Sequence, residues 1–335
     1  MDTIAKSFVE IAVPLGTSAL DEASCRSKAR NRAISYIPNK PDKFAIRFYG
    51  VVGSAGPYIH SIWDNGRGNN SLMCQVERYN HLHKTFGPIL NNHITNNSII
   101  ERNSASALWL CQLVHQSQSY RPPNTYRVTF SDSFYTRPRL AEKLFQISDG
   151  DIKMTGTCKY TNMDAINRPV ILECVKQLED QPRGTWLLGR SYSFSKDYDK
   201  NRKKSNDEAI RTYRNIPDSM IQSNSGFIFF KDAKVVVFYT NDLKETPYAR
   251  ICEGENARAI QAVHGVVDIE RWTGGETVGR SRIKCPAIIV SYQFFMNGVD
   301  RVDQLRSTNP IKRKEQKIHM TLWTYCLDLC IHQAY

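Results

Sequence analysis

Apolar and polar residues alternate along Lys43-Phe-Ala-Ile-Arg-Phe-Tyr-Gly-Val-Val52, the period of a strand with one buried face. Gly53-Ser-Ala-Gly56 then supplies a turn, and Pro57 to Trp63 reads as the return strand of a hairpin. The first 66 residues as a whole read as strands. From about Ser71 the period becomes helical, with Leu72, Val76 and Tyr79 at spacings of four and three, until Gly87-Pro88 stops it. Residues 89–103 are polar and Asn-rich and read as a loop. Ala105 to Val114 is apolar nearly all round, as in a buried helix.

Tyr126-Arg-Val-Thr-Phe130 is a β-branched and aromatic strand that runs straight into Ser131-Asp132. Thr136 is a candidate N-cap, Pro138 suits a first helical turn, and Leu140, Leu144 and Phe145 form a helical stripe. An acid between strand and helix lies at the carboxyl end of the strand, where open α/β sheets collect ligands. From 159 to 226 polar and charged residues dominate, and this stretch reads as an insertion with modest structure of its own. Phe227 to Phe230 and Val235 to Tyr239 look like a hairpin, and residues 253–283 like a loop. Ala287-Ile-Ile-Val-Ser-Tyr292 reads as another strand, and from Gly298 the pattern is helical. No internal repeat appears.

Charge changes this picture. Forty-five Lys and Arg face thirty-three Asp and Glu over 335 residues, a formal net charge of +12. Such a surplus favours polyanionic partners, nucleic acid ahead of an anionic membrane, although a basic enzyme of another kind remains open. No apolar run reaches the ~18 residues of a membrane helix, and Met1 to Gly16 lacks the apolar block of a signal peptide. The nine cysteines are odd in number and scattered, which suits reduced thiols in the nucleus or cytoplasm better than a disulfide framework. Cys326, Cys330 and His332 resemble half a zinc site, but cysteines four apart on an apolar helix fit core packing better. His81 and His83, two apart on a helix, do not converge. The basic runs Lys200 to Lys204 and Lys312-Arg-Lys314 suit nuclear import, DNA-backbone contact or simply solvent. Neither a Gly-rich phosphate loop nor a Ser/His/Asp arrangement stands out.

The most informative stretch is Tyr292-Gln-Phe-Phe-Met-Asn-Gly-Val-Asp-Arg-Val-Asp-Gln-Leu-Arg306. On a helix, Val299, Val302 and Leu305 face the core, while Asp300 and Asp303 share a neighbouring face. Two carboxylates there offer hard oxygens to Mg²⁺ or Mn²⁺. Acids in a first turn also serve simply to satisfy its N–H groups and dipole.

This segment resembles the piggyBac transposase signature Tyr-Asn-x-x-Met-Gly-Gly-Val-Asp-x-x-Asp-Gln, matched at Tyr292, Met296, Gly298, Val299, Asp300, Asp303 and Gln304. Arg280 to Pro286 resembles the Arg-rich approach that precedes it. Phe130-Ser-Asp-Ser-Phe-Tyr-Thr136 resembles that family's Asp-Asn-Phe-Phe-Thr-Ser. Leu20-Asp-Glu22 with Tyr36 to Pro41 resembles the segment around its first acid. There are departures. Ser133 and Asn297 replace the usual Asn and Gly, and Cys25 to Arg30 replaces a Phe-Lys-Gly-Arg stretch. The first two acids are far apart, and the chain reads as a fragment or a truncated element.

The resemblance implies an α/β (α+β mixed) fold with an RNase H-like core. Residues 13–158 would form its first part, 159–283 an insertion domain, 284–308 the last strand and catalytic helix, and 309–335 the start of a C-terminal helical region. It implies DNA cleavage and strand transfer, with Asp21, Asp132 and Asp300 holding two Mg²⁺ or Mn²⁺ ions and Asp303 as an auxiliary acid. In the family such chemistry cuts at TTAA and forms hairpin ends. Double-stranded DNA is the expected partner, contacted by Arg301, Arg306, Lys312, Arg313 and Lys314, in a nuclear protein that is a homodimer when complete. No membrane or small-molecule substrate is expected. The competing expectation is a transposase-derived, catalytically silent DNA-binding or scaffold protein.

Overall fold

A computed structural model of the chain describes residues 2–11, 16–31, 33–54, 56–64, 127–148, 150–193, 196–208, 216–243, 265–273, 279–308, 310–311 and 317–334. The helices expected at 71–86 and 105–114 and the loop at 89–103 lie outside them. The chain opens with helix α1 (Asp2–Ile11), then strands β1 (Thr17–Arg26), β2 (Ser35–Tyr36), β3 (Phe44–Gly53), β4 (Ile59–Asp64) and β5 (Arg127–Ser131). Helix α2 (Pro138–Ile147), strand β6 (Ile152–Thr157), helix α3 (Asn167–Glu179), strand β7 (Trp186–Tyr192) and helix α4 (Lys196–Lys204) follow. Strands β8 (Ile221–Lys231), β9 (Val235–Thr240), β10 (Val266–Thr273) and β11 (Gly279–Pro286) lead to helices α5 (Ala287–Phe295), α6 (Gly298–Thr308) and α7 (Ile318–Ala334).

Nine of the described strands form one mixed sheet in the order β2-β3-β1-β5-β6-β9-β8-β7, with β4 also on β3. β3 pairs antiparallel with both β1 and β4, as the hairpin pattern at 43–63 predicts. β1, β5 and β6 are parallel, and α2 makes the crossover between the last two, as parallel neighbours require. β9 turns antiparallel on β6, and β8 and β7 extend the sheet outward.

Period-two alternation gives the sheet two apolar faces. On one, Leu20, Val51, Met154, Phe227 and Phe229 pack with Leu140 and Leu144 of α2 and Ile171 and Leu178 of α3. On the other, Phe130, Ile228 and Phe230 meet Ile288, Ile289, Tyr292 and Phe295 of α5. Ala23, Ile46 and Phe48 on that face meet Val299 and Val302 of α6 and Tyr325 and Leu329 of α7. Neighbours such as Phe227 and Ile228 therefore serve opposite layers.

The structure departs from the sequence expectations at six places, the first being Leu305, expected to face the core but 44% exposed on α6. Residues 2–11 are helical rather than extended. Residues 287–292 are helical too: Pro286 takes the N-cap position, and Ile288, Tyr292 and Phe295 recur at spacings of four and three on the buried side. The expected loop at 253–283 contains the β10–β11 hairpin. The polar stretch 159–226 holds α3, which buries Ile171 and Leu178. The α2 cap position is Arg137, without a side-chain cap. No described helix is long and apolar enough to cross a membrane.

Candidate active site

β1 and β5 run parallel up to the pair Leu20↔Ser131. Asp21 follows within β1, still paired with Gly50 of β3, and Asp132 follows just beyond the end of β5, so the two acids are carried by neighbouring strands, one strand spacing of about 4.8 Å apart. Beyond Ser131 the chain folds into a tight turn. The Asp132 carbonyl accepts from the N–H groups of Tyr135 (3.2 Å) and Thr136 (3.0 Å). Its carboxylate Oδ1 accepts the Phe134 N–H at 2.8 Å. Thr136 Oγ1 lies 2.8 Å from the Asp132 carbonyl oxygen and 2.8 Å from Ser131 Oγ. The Thr136 hydroxyl thus closes this turn instead of capping α2.

Gly156 on β6 makes room for that turn. A Cβ there would sit 2.1 Å from both the Ser131 carbonyl oxygen and Thr136 Oγ1. Gly156→Ala must therefore push the Asp132 turn off the sheet, at the ~1–3 kcal/mol of an overpacked core or more. Thermal melting should show the loss, and an unchanged melting temperature would refute this account of the turn.

Gly298 plays the matching part for the third acid. A Cβ on it would come within 3.0 Å of the Ala19 Cβ, so α6 starts in direct contact with β1 two residues before Asp21. Val299 and Val302 bury into the core below. Asp300 lies in the first turn, exposed at the surface. By alternation Asp21 is on the same face of β1 as Ala19 and Ala23, the face that α6 covers.

Asp21 feels the charges of both other acids. Burial raises the Asp21 pKa to about 7, opposed by the N–H of Glu22 (2.7 Å to Oδ1) and by Lys40, and assisted by the like charges of Asp132 and Asp300. Asp303 belongs to a different set. Its Oδ1 is 3.5 Å from Arg306 Nε, and the Arg306 guanidinium lies 4.7 Å over the Tyr325 ring. Burial raises the Asp303 pKa, while Arg306 and the Ser24 N–H oppose that rise. Asp303 thereby ties α6 to β1. Among the described residues, no three His, Cys, Asp or Glu side chains form a group ready to hold a metal.

Three neighbours of the acids have no role assigned from the sequence. Glu22 points to the opposite face of β1, with Lys40 Nζ 4.0 Å from its carboxylate. Tyr135 is fully buried beside Glu22, Tyr49, Asp21 and Asp132, and its hydroxyl finds no hydrogen-bond partner among the described residues. Burial, with those charges, pushes its pKa far up. The strand period alone would have placed Glu22; Lys40 and Tyr135 arrive through turns. Of the expected DNA contacts, Arg301 is exposed beside Asp300, and Arg306 is half-buried. Lys312, Arg313 and Lys314 lie outside the described residues. Cys326 is buried in the core layer near Leu329, with its thiol pKa raised by burial.

No protein-family model matches the chain, and no curated protein matches it. Among solved structures it is similar to a piggyBac transposase determined by cryo-electron microscopy in a synaptic complex with hairpin DNA. The TM-score is 0.55 at 17% identity, over 99% of this chain and 49% of that one. The chain spans about half the length of that transposase. The likeness shows the fold alone, a mixed α/β core arranged as in that structure.

Proposed function

We propose that the chain belongs to the piggyBac transposase family and is its catalytic core, cutting and joining DNA at a site built from Asp21, Asp132 and Asp300. The observation that supports this reading is that Asp21, buried on β1 next to the β5 end that bears Asp132, also feels the charge of Asp300, in a chain whose fold is like that of a transposase. Phosphoryl transfer asks a protein mainly for position and charge, and these side chains offer both. Residues 159–283 are then an insertion after the last core strand β6, lengthening the sheet and adding the β10–β11 hairpin.

The donor set fits a hard divalent cation: all three are carboxylates, and Asp21 is a buried acid whose charged form a nearby cation would favour. When bound, Mg²⁺ or Mn²⁺ would activate the attacking oxygen and stabilise the leaving one. Asp303 and Arg306 position the helix that presents Asp300. Arg301, exposed next to it, is suited to a phosphate contact, as is the Lys312 to Lys314 run. A nuclear setting follows from a DNA substrate.

The test is an oligonucleotide duplex carrying TTAA, incubated with Mg²⁺, Mn²⁺ or EDTA. Metal-dependent nicking is expected, and DNA affinity should fall steeply with salt as counterions are released. Salt-dependent binding without nicking under any metal would favour a silent DNA-binding descendant instead. Neither binding nor nicking would remove the proposal.

A further inference from the structure

The β10–β11 hairpin carries a feature that the acid site does not use. Trp272 is 60% exposed, although a large aromatic surface gains most by burial. The Arg280 guanidinium, on the paired residue across the hairpin, lies 4.9 Å from its ring centroid. Arg280, Arg282 and Lys284 all point outward from alternate positions of β11. Asp268 and Glu270 stand opposite the last two, and Glu270 also pairs with Arg280 at 3.4 Å.

This end of the hairpin is held in place. Arg183 donates to the Trp272 carbonyl at 2.6 Å and to Asp232 Oδ1 at 2.6 Å. Arg271 adds an ion pair to Asp232 (3.5 Å) and a hydrogen bond to Gln293 (2.8 Å). Gly184, at φ +94°, lets the chain pass against Ile283. The Trp272 backbone is thus fixed while its ring is left open to solvent.

Topology decides where the ring stands. β9 runs antiparallel to β6, so the β8–β9 turn containing Asp232 emerges beyond Thr157, on the rim where β5 delivers Asp132. Trp186, 39% exposed at the start of β7, lies on the same rim. Three strand spacings, about 14 Å, separate β5 from β8 along it. A DNA strand held at the acids would reach this corner within a few nucleotides.

We infer that Trp272, backed by Arg280, is a stacking platform for an unpaired base of the DNA substrate, with Arg282 and Lys284 beside the backbone. Exposed aromatics among basic residues bind single strands in this way, since every base offers a π-face. The two acids of the hairpin dilute its charge, so stacking rather than phosphate capture should dominate. The choice of DNA as partner rests on the function proposed above.

Fluorescence anisotropy in EDTA tests this, with one labelled oligonucleotide presented single-stranded and as a blunt duplex. Trp272→Ala should weaken single-strand binding about tenfold, the effect of losing one stacked base, change duplex binding less than twofold and leave the salt slope unaltered. Trp272→Phe should restore most of the affinity, which a merely structural role at this exposed ring would not require. Equal losses on both probes, a changed salt slope or no loss would overturn the platform. The assay needs no cleavage, so the selective loss would stand even if metal-dependent nicking were never seen.

Discussion

At pH 8 without divalent metal, Asp21→Asn is expected to melt roughly 5–10 °C above the unaltered protein. The Asp21 carboxyl has its pKa raised from 3.8 to about 7, first by burial and then by Asp132 and Asp300. Holding it ionised costs up to ~4 kcal/mol at ~1.4 kcal/mol per pH unit, and a chain of this size gains ~2–4 °C per kcal/mol. Below about pH 4 the carboxyl is protonated both folded and unfolded, and the variant should gain little. Between pH 4 and 7 the folded chain binds the extra proton, so wild-type stability falls as pH rises. The gap between variant and wild type opens over this window and stays constant above it. The amide keeps an oxygen for the Glu22 N–H. Mg²⁺ should narrow the gap by favouring the charged carboxylate of the wild type alone. Melting curves from pH 4 to 8 decide this. A variant that is less stable than wild type at pH 8 would show that Asp21 is not a strained acid.

The local settings of Asp132 and Asp300 were more legible in the sequence than parts of the fold around them. Strand, acid and helix around Asp132 could be read from a β-branched run followed by Pro138 and a Leu stripe, because the local pattern and the final structure agree there. Asp300 could be read because Val299 and Val302 force one face of α6 inward. Ala287 to Tyr292 could not, since a short apolar run with β-branched residues suits a buried strand or a buried helix equally. Pro286 at its start and the packing of Phe295 against Phe130 decide for the helix. The β10–β11 hairpin was hidden because charged residues occupy one of its faces, Asp268, Glu270, Arg280, Arg282 and Lys284, leaving a short apolar stripe of Val267, Ile269, Ile283 and Cys285 on the other. Asp303 shows a subtler limit. Its spacing from Asp300 suggests a shared face, but Arg306 one turn later draws its carboxylate toward Tyr325.

Asp300→Asn is expected to lose metal-dependent DNA cleavage by about 10³-fold or more while keeping its fold and its DNA affinity. Asp300 is exposed in the first turn of α6 and makes no core contact that the amide would break. The substitution keeps the shape of the side chain and removes the charge that would hold a cation opposite Asp21. Several kcal/mol of transition-state stabilisation would go with it, and each 1.4 kcal/mol is about tenfold in rate. DNA binding should hold or tighten slightly, because one carboxylate no longer repels the phosphates. A small fall in the Asp21 pKa should accompany it, since Asp300 is one of the charges that raise that value. Cleavage and binding are to be measured on the same TTAA duplex, with the melting temperature as a control for folding. Cleavage equal to wild type would remove Asp300 from the chemistry. Loss of both cleavage and binding in a folded variant would make the residue part of the DNA-contacting surface instead.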